Sequence, residues 1–359
     1  MPTDEPSNPV ESPAPSARRR SVVQLLGFTL GLCILGWVIW SVTRDQNRLQ
    51  EIKRLASAPL WQYALALGLS GLTVALSGLV FSAMSLGIDA KHRPGALRCV
   101  GVNSVCSLLS YLPMKISLIF RLFFHRRMDG MDWLTIAAWM ASVAAIILIS
   151  LTPPFLATWL VKELDLRWWS IAVGGILFAG FAVPVVASFF SGQIGLSRIE
   201  SILRTLIIGR VGFIARIIRA QWFAKLHAGL IPLSSKRAVW LGLTLRCADV
   251  AAQAARFYLV SRMVGAPLSA EQCVLAGAVY FFIQAASPAG VAGPREGGLI
   301  AILGQDAAAV VLAVSAAEAV ANLLMGGLSA AVLRVDRLLV GERKAEDKPA
   351  ENDSNRERA

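Results

Sequence analysis

Residues that carry most enzyme chemistry are scarce in this chain. Its three histidines, His92, His125 and His227, are far apart and sit beside basic residues, so they spell out neither a metal set nor a catalytic dyad. Its five cysteines, Cys33, Cys99, Cys106, Cys247 and Cys273, show no C-x-x-C spacing and fall mostly in apolar segments, which argues against zinc and against a disulfide framework. The sequence contains no P-loop, no H-E-x-x-H, no Ser-His-Asp constellation and no paired-carboxylate motif. No cofactor, no metal and no enzymatic activity are therefore expected, and ATP is excluded as a direct driver. Charge is scarce too, at 16% of residues against about 25% in soluble chains.

What the chain has in excess is apolar residues, 55% of its 359, with a mean hydropathy of +0.59. They fall in repeated runs long enough to cross a hydrocarbon core of about 30 Å. The expected fold class is an all-α, polytopic integral membrane helix bundle. A net charge of +12 raises nucleic acid as a partner. The basic residues, however, lie between apolar runs, with no aromatic-basic platform to present them. They read as topology signals facing an anionic leaflet, and no nucleic acid is expected.

In chain order, residues 1–20 are rich in Pro, Ser and charge and cannot bury a core, so a disordered cytoplasmic tail is expected. The run Ser21–Val42 is longer than the apolar region of a signal peptide and reads as a first spanning helix. Further spans are expected near Pro59–Leu86, Trp133–Leu160, Trp168–Ser191, Val239–Val264 and Ala307–Leu333. The second is dotted with Gly68, Ser70, Gly71, Ser77 and Gly78, read as packing residues that let helices approach. Pro153-Pro154 is a place where the third could be cut short. Trp159, Trp168 and Trp169 are expected at the membrane interface. Residues 192–237 form a basic cytoplasmic linker of interfacial helices, with eight Lys/Arg against one Glu. The bundle occupies residues 21–335, and residues 336–359 form a charged, disordered tail.

Two stretches do not fit a simple span. Cys99–Phe124 is apolar but carries Asn103, Pro113, Lys115 and Arg121. Ser287–Gly298 holds two prolines, four glycines and the Arg295-Glu296 pair, a broken backbone tolerated at membrane depth only where protein or a watery cavity satisfies it. The positive-inside rule decides how they run. If the first dips in and returns, 23 Lys/Arg lie inside and six outside, in the linkers 44–58 and 161–167. If it crosses, the basic linker 192–237 falls on the wrong side. The same logic makes Gln272–Leu303 enter and return from the opposite face. About six spanning helices plus two re-entrant broken helices are expected, with both termini cytoplasmic. Opposed broken elements meeting near the midplane are how several transporters build a substrate site.

The residues for such a site are the intramembrane charges: the cations Lys115, Arg121, Arg246, Arg256 and Arg295 and the acids Asp249, Glu296 and Glu318. Asp249, Gln253 and Arg256 share a helix face with Arg246 close by. Each charge costs at least ~2.5–3.5 kcal/mol at the bilayer centre unless paired or hydrated. Their positive excess suits a phosphate headgroup. The plainer reading is that Arg246–Asp249 and Arg295–Glu296 are structural pairs that hold helices together. Asp249 and Glu296 are the carboxylates first in line to carry a proton.

The motif Pro288, Gly290, Gly293, Arg295, Glu296 resembles that of the flippase-like domain family, which includes the transmembrane region of lysylphosphatidylglycerol synthases. Val291 replaces a glycine of the pattern, and Pro294 stands where a small apolar residue is usual. Asn103, Leu112, Pro113, Lys115 and Arg121 are similar to the family's other motif, with Ser117 and Leu118 in place of its Gly and Glu. Glu318 falls where the last span often carries an arginine. The resemblance implies that Lys115, Arg121, Arg295 and Glu296 belong to a substrate-binding groove, and the charge reading adds Arg246, Asp249 and Arg256 to it. Asn103, Pro113, Pro288, Gly290 and Gly293 would shape its backbone. It implies transfer between leaflets of an anionic phospholipid or a polyprenyl-phosphate-linked lipid, in a bacterial inner membrane. No aminoacyl-transferase domain follows within the chain. The alternative expectation is a non-transporting partner that docks a transferase through 192–237, and a homo-oligomer is compatible with either.

Overall fold

The computed structural model describes residues 46–88, 90–112, 116–161, 163–206, 230–286 and 293–335, with residues 29, 33, 35–37, 39, 40, 44, 223 and 227 as isolated positions. Most of the expected span Ser21–Val42 and both tails, 1–20 and 336–359, lie outside the described residues. Among those described there is no strand. The helices are α1 (Gln46–Ala56), α2 (Leu60–Met84), α3 (Ala96–Leu109), α4 (Ile116–Met128), α5 (Trp133–Leu160), α6 (Leu166–Phe190), α7 (Gly192–Leu206), α8 (Leu230–Ser234), α9 (Lys236–Val264), α10 (Ala270–Ala286), α11 (Pro294–Leu303) and α12 (Ala308–Val332).

Four helical stretches are long and apolar enough to cross a membrane: Leu60–Gly87, Trp133–Leu160, Leu166–Phe190 and Gln305–Val332. They coincide with four of the expected spans. The expected span 239–264 lies inside α9, which is 29 residues long but carries Arg246, Asp249 and Arg256 in its interior. Large apolar side chains stand on the outside of the bundle, including Leu72, Phe155, Phe178, Phe181 and Leu324. So large an apolar exterior is compatible with a transmembrane protein, because hydrocarbon rather than water is its natural solvent.

Helix ends follow local chemistry. Asp165 caps α6 by accepting from the Trp168 amide at 2.9 Å. Ser235 caps α9 through the Ala238 amide, and α9 stops at Gly265 in the left-handed conformation. The cut expected at Pro153-Pro154 does not occur, and α5 runs unbroken to Leu160. The Pro153 ring is received by Gly175 of α6, where an added Cβ would lie 2.7 Å from Pro153 Cβ. Neighbouring helices accommodate proline in this way inside membranes. Trp159 stands 76% exposed and Trp169 is also exposed, as interface anchors would be, but Trp168 is only 4% exposed. Its indole donates to Thr158 Oγ1 at 3.1 Å, and it packs on Ala157 and Ala172.

α9 lies along α2 over the most extensive interface of the bundle, and α12 and α3 pack against α2 on its other sides. One apolar cluster, with Ala66, Phe257, Tyr280, Leu299 and Val314, joins α2, α9, α10, α11 and α12. A second, with Val80, Ile136, Trp139, Val143 and Leu243, joins α2, α5 and α9 and reaches Cys99 on α3. Buried charge collects between the two clusters.

Candidate functional site

The helices α2, α9 and α12 each bring small or polar residues to one face at mid-length. On α9, Arg246, Asp249, Gln253 and Arg256 are all buried, as their helical spacing requires. Facing them on α2 are Ser70, Thr73 and Ser77, and on α12 Glu318 and Asn322. Most of these polar groups find partners among one another, while Asp249 Oδ1, Arg256 Nε and Asn322 Oδ1 have none among the described residues.

Glu318 is the junction. Its Oε2 accepts from Arg256 Nη2 at 2.9 Å and from the Tyr280 hydroxyl at 2.5 Å. Its Oε1 accepts from Arg295 Nη1 at 2.8 Å. One carboxylate on α12 thus binds guanidinium groups from α9 and α11 and a phenol from α10. Arg256 also donates to Ser70 Oγ at 3.0 Å and to Gln253 Oε1. The Tyr280 ring lies under Arg295, 4.2 Å from ring centroid to Cζ, a cation–π contact strengthened by exclusion of water.

The Arg295-Glu296 pair sits at the start of α11. Gly293 holds φ of 93°, a conformation that side-chain-bearing residues resist. Its amide donates to Glu296 Oε2 at 2.7 Å, so Glu296 caps its own helix. Glu296 Oε1 accepts from Arg295 Nη2 at 3.0 Å and from Ser315 Oγ at 2.7 Å. Pro288 and Gly290 lie outside the described residues. A second knot joins Arg246 to Asp249, with Ser77 donating to Asp249 Oδ2 at 2.9 Å. Both pairs that the plainer reading anticipated are therefore formed.

Arg121, on α4, is buried without a carboxylate partner among the described residues. It donates to Asn103 Oδ1 at 2.8 Å and stacks over the Phe81 ring at 3.6 Å, while its Nη1 has no hydrogen-bond partner among them. Asn103 in turn donates to the Val74 carbonyl at 2.9 Å. Pro113 and Lys115 lie outside the described residues. The expected positive excess narrows accordingly. Arg246, Arg256 and Arg295 are balanced by Asp249, Glu296 and Glu318, which leaves Arg121 as the surplus among the described members of the cluster.

A cavity of about 200 Å3 opens against this network, lined by Thr73, Ser77, Asn103, Ser107, Arg246, Gln253, Glu318 and Asn322, with Val74, Val80, Phe81, Val143 and Ile147 completing its walls. Asn322 Oδ1 is buried and has no hydrogen-bond partner among the described residues. Of the expected site residues, Arg246 enters the cavity wall, Arg256 and Asp249 are bonded to wall residues Gln253 and Ser77, and Arg121 is bonded to Asn103. Arg295 and Glu296 reach it through Glu318.

Sequence reading missed Tyr280, Ser315 and Asn322 and took Ser70 and Ser77 for packing residues. The serines had a signal, since a spacing of seven sets them on one face of α2. Tyr280 and Ser315 had none, because only the tertiary arrangement brings them to a charge. A separate polar group also went unread at the far end of α4, where His125 Nδ1 is 2.6 Å from Asp129 Oδ2 and Asp129 pairs with Arg98. Compared with family models, with curated proteins and with solved structures, the chain matches none of them.

Proposed function

We propose that this chain is an integral membrane protein that binds an anionic, phosphate-bearing lipid and carries it between leaflets through a polar groove. The observation that carries the reading is the 200 Å3 cavity, with Arg246, Glu318 and six uncharged polar side chains in its wall, inside a bundle whose exterior is apolar. A headgroup needs such a place, whereas its chains are already at home in the surrounding lipid. The Arg246 guanidinium in the cavity wall, with Arg256 and Arg295 one hydrogen bond behind that wall through Glu318, fits a phosphate.

In this reading α3 with α4, and α10 with α11, are the two re-entrant elements, entering from opposite faces among six spans. Both bear on the cavity wall: Asn103 lines it and holds Arg121 on one side, and on the other Tyr280 and Arg295 bond to the wall residue Glu318, with Glu296 on Arg295. The resemblance of both broken stretches to flippase-like motifs supports the same arrangement and a bacterial inner membrane with cytoplasmic termini. No step in it calls for catalysis or a cofactor.

The test is translocation of headgroup-labelled lipids in proteoliposomes, with wild type beside Arg295→Ala and Arg295→Lys. Wild type should move an anionic lipid faster than empty vesicles. Arg295→Lys should be slow, because an ammonium cannot reproduce the fork between Glu318 and Glu296, and Arg295→Ala should be inactive. Equal transport by all three would refute the site. Vesicles in which no phospholipid or polyprenyl-phosphate lipid moves would favour the non-transporting partner of a transferase.

A further inference from the structure

Three carboxylates serve the buried arginines, and their surroundings differ. Glu296 is spent on architecture, with one oxygen on the Gly293 amide at 2.7 Å and the other on Arg295 and Ser315. Asp249 is tied to Arg246, three residues along its own helix, and does not line the cavity. Glu318 does line it, and it alone ties two guanidinium groups from two other helices, Arg256 and Arg295.

The two arginines approach separate oxygens of Glu318, at 2.9 and 2.8 Å. A phosphate monoanion also presents two charged oxygens on one centre and meets guanidinium forks in the same way. Glu318 therefore occupies, from within the protein, the position an anionic headgroup would take. Charge balance sets a condition on the exchange. Arg246, Arg256 and Arg295 are matched by Asp249, Glu296 and Glu318, and the surplus cation Arg121 is engaged by Asn103 and the Phe81 ring. A Glu318 carboxylate displaced from Arg256 and Arg295 would therefore be left as a buried charge without a paired cation, which is strongly unfavourable.

We propose that Glu318 is the resident counter-ion of the cavity and that it takes up a proton as a phosphate group replaces it between Arg256 and Arg295. This rests on the function proposed above and adds that the site binds an anion and a proton together. The proton comes from bulk solvent as hydronium: one O–H bond of the hydronium breaks, leaving water, and one O–H bond forms at a Glu318 oxygen. The cluster's net charge is unchanged, and release runs the exchange backwards. The groups facing Glu318 are Arg256 on α9, Tyr280 on α10, Arg295 with Glu296 on α11 and Tyr111 beyond α3, with Asp249 farther along α9. Tyr280 remains as a hydrogen-bond partner for the protonated acid.

The experiment is calorimetric titration of the full-length protein in uncharged detergent with a short-chain phosphatidylglycerol, and in parallel with inorganic phosphate. Each titration is run in two buffers of different ionisation enthalpy, so that protons are counted directly. The expected result for wild type is uptake of about one proton per anion bound, with binding weakening about tenfold per unit rise in pH where the exchange is linked. Glu318→Gln releases the arginines without a proton, so its binding should persist with no uptake and no pH slope. Inorganic phosphate binding with the same proton count would support the exchange and assign the site to free phosphate rather than to a lipid headgroup. Anion binding without proton uptake in wild type would overturn the inference and leave the lipid-carrier reading standing. Absence of any anion binding would overturn both. The wild-type proton count needs no variant, so a poorly folding Glu318→Gln leaves the test intact.

Discussion

Among single residues, His125 shows how a polar side chain is held away from its usual state. It is fully buried at the polar end of α4, with its ring edge-on to Trp139 at 4.9 Å. Burial lowers its imidazole below the ordinary histidine value, Asp129 pulls the other way, and Arg121 and Arg98 add to the lowering. The folded protein therefore keeps a neutral ring where the unfolded chain, titrating near pH 6.5, takes a proton. Stability should be full above about pH 6.5 and be lost as pH falls toward the lower folded value. Melting curves of wild type between pH 8 and pH 5, roughly the range that brackets histidine titration, should show that decline, and His125→Gln should flatten it. At this scale Arg246, Asp249 and Arg256 were legible in the sequence, because charges in an apolar run announce themselves. Tyr280 and Ser315 were not, because an aromatic or small residue in an apolar run is ordinary until something charged is seen beside it.

The helices are held by close approach as much as by charge. An added Cβ on Gly78 of α2 would lie 2.6 Å from Val100 Cα on α3, a backbone atom that cannot swing aside. On α12, an added Cβ on Gly326 would meet Ser104 O of α3 at 2.9 Å. Gly78→Ala should therefore push α3 off α2 and cost about 1–3 kcal/mol, the usual penalty of overpacking. Gly68→Ala on the same helix faces open space and should be neutral or slightly stabilising through helix propensity. Thermal unfolding of the two variants side by side checks the contrast. Hydropathy marked α2, α5, α6 and α12 to within about a turn, since length and apolarity are all a spanning helix requires. It could not show that α5 passes through Pro153-Pro154, because the permission comes from Gly175 on another helix.

For the molecule as a whole, the proposed orientation rests on the distribution of charge. Ser197 on α7 and Glu163 in the turn before α6 are both exposed, and the topology proposed above sets them on opposite sides of the bilayer. With Cys33 and Cys247 replaced, Ser197→Cys should react with an impermeant maleimide only from the face of the tails, and Glu163→Cys only from the other. Labelling of both from one side would undo the re-entrant assignment. The all-helical class was legible from composition. The pairing of Arg246, Arg256 and Arg295 with Asp249, Glu318 and Glu296 was not, because it depends on which arginine meets which acid.

The bridge between Arg256 and Glu318 also has a bearing on how the chain is made. The two residues are 62 apart in sequence, so at about 5–20 residues per second α9 waits roughly 3–12 s for its counter-ion to be synthesised. During that wait Arg256 has Ser70 and Gln253 to satisfy it, but no carboxylate from the other helices. Assembly of this bundle is therefore a matter of timing: α9 should stay beside α2, at the mouth of the insertion machinery, until α12 arrives. In nascent chains stalled before Glu318, Gln253→Cys on α9 should react with an impermeant maleimide, and in chains extended past α12 it should be protected. Equal protection before and after would mean that α2 alone is enough to keep α9 in place.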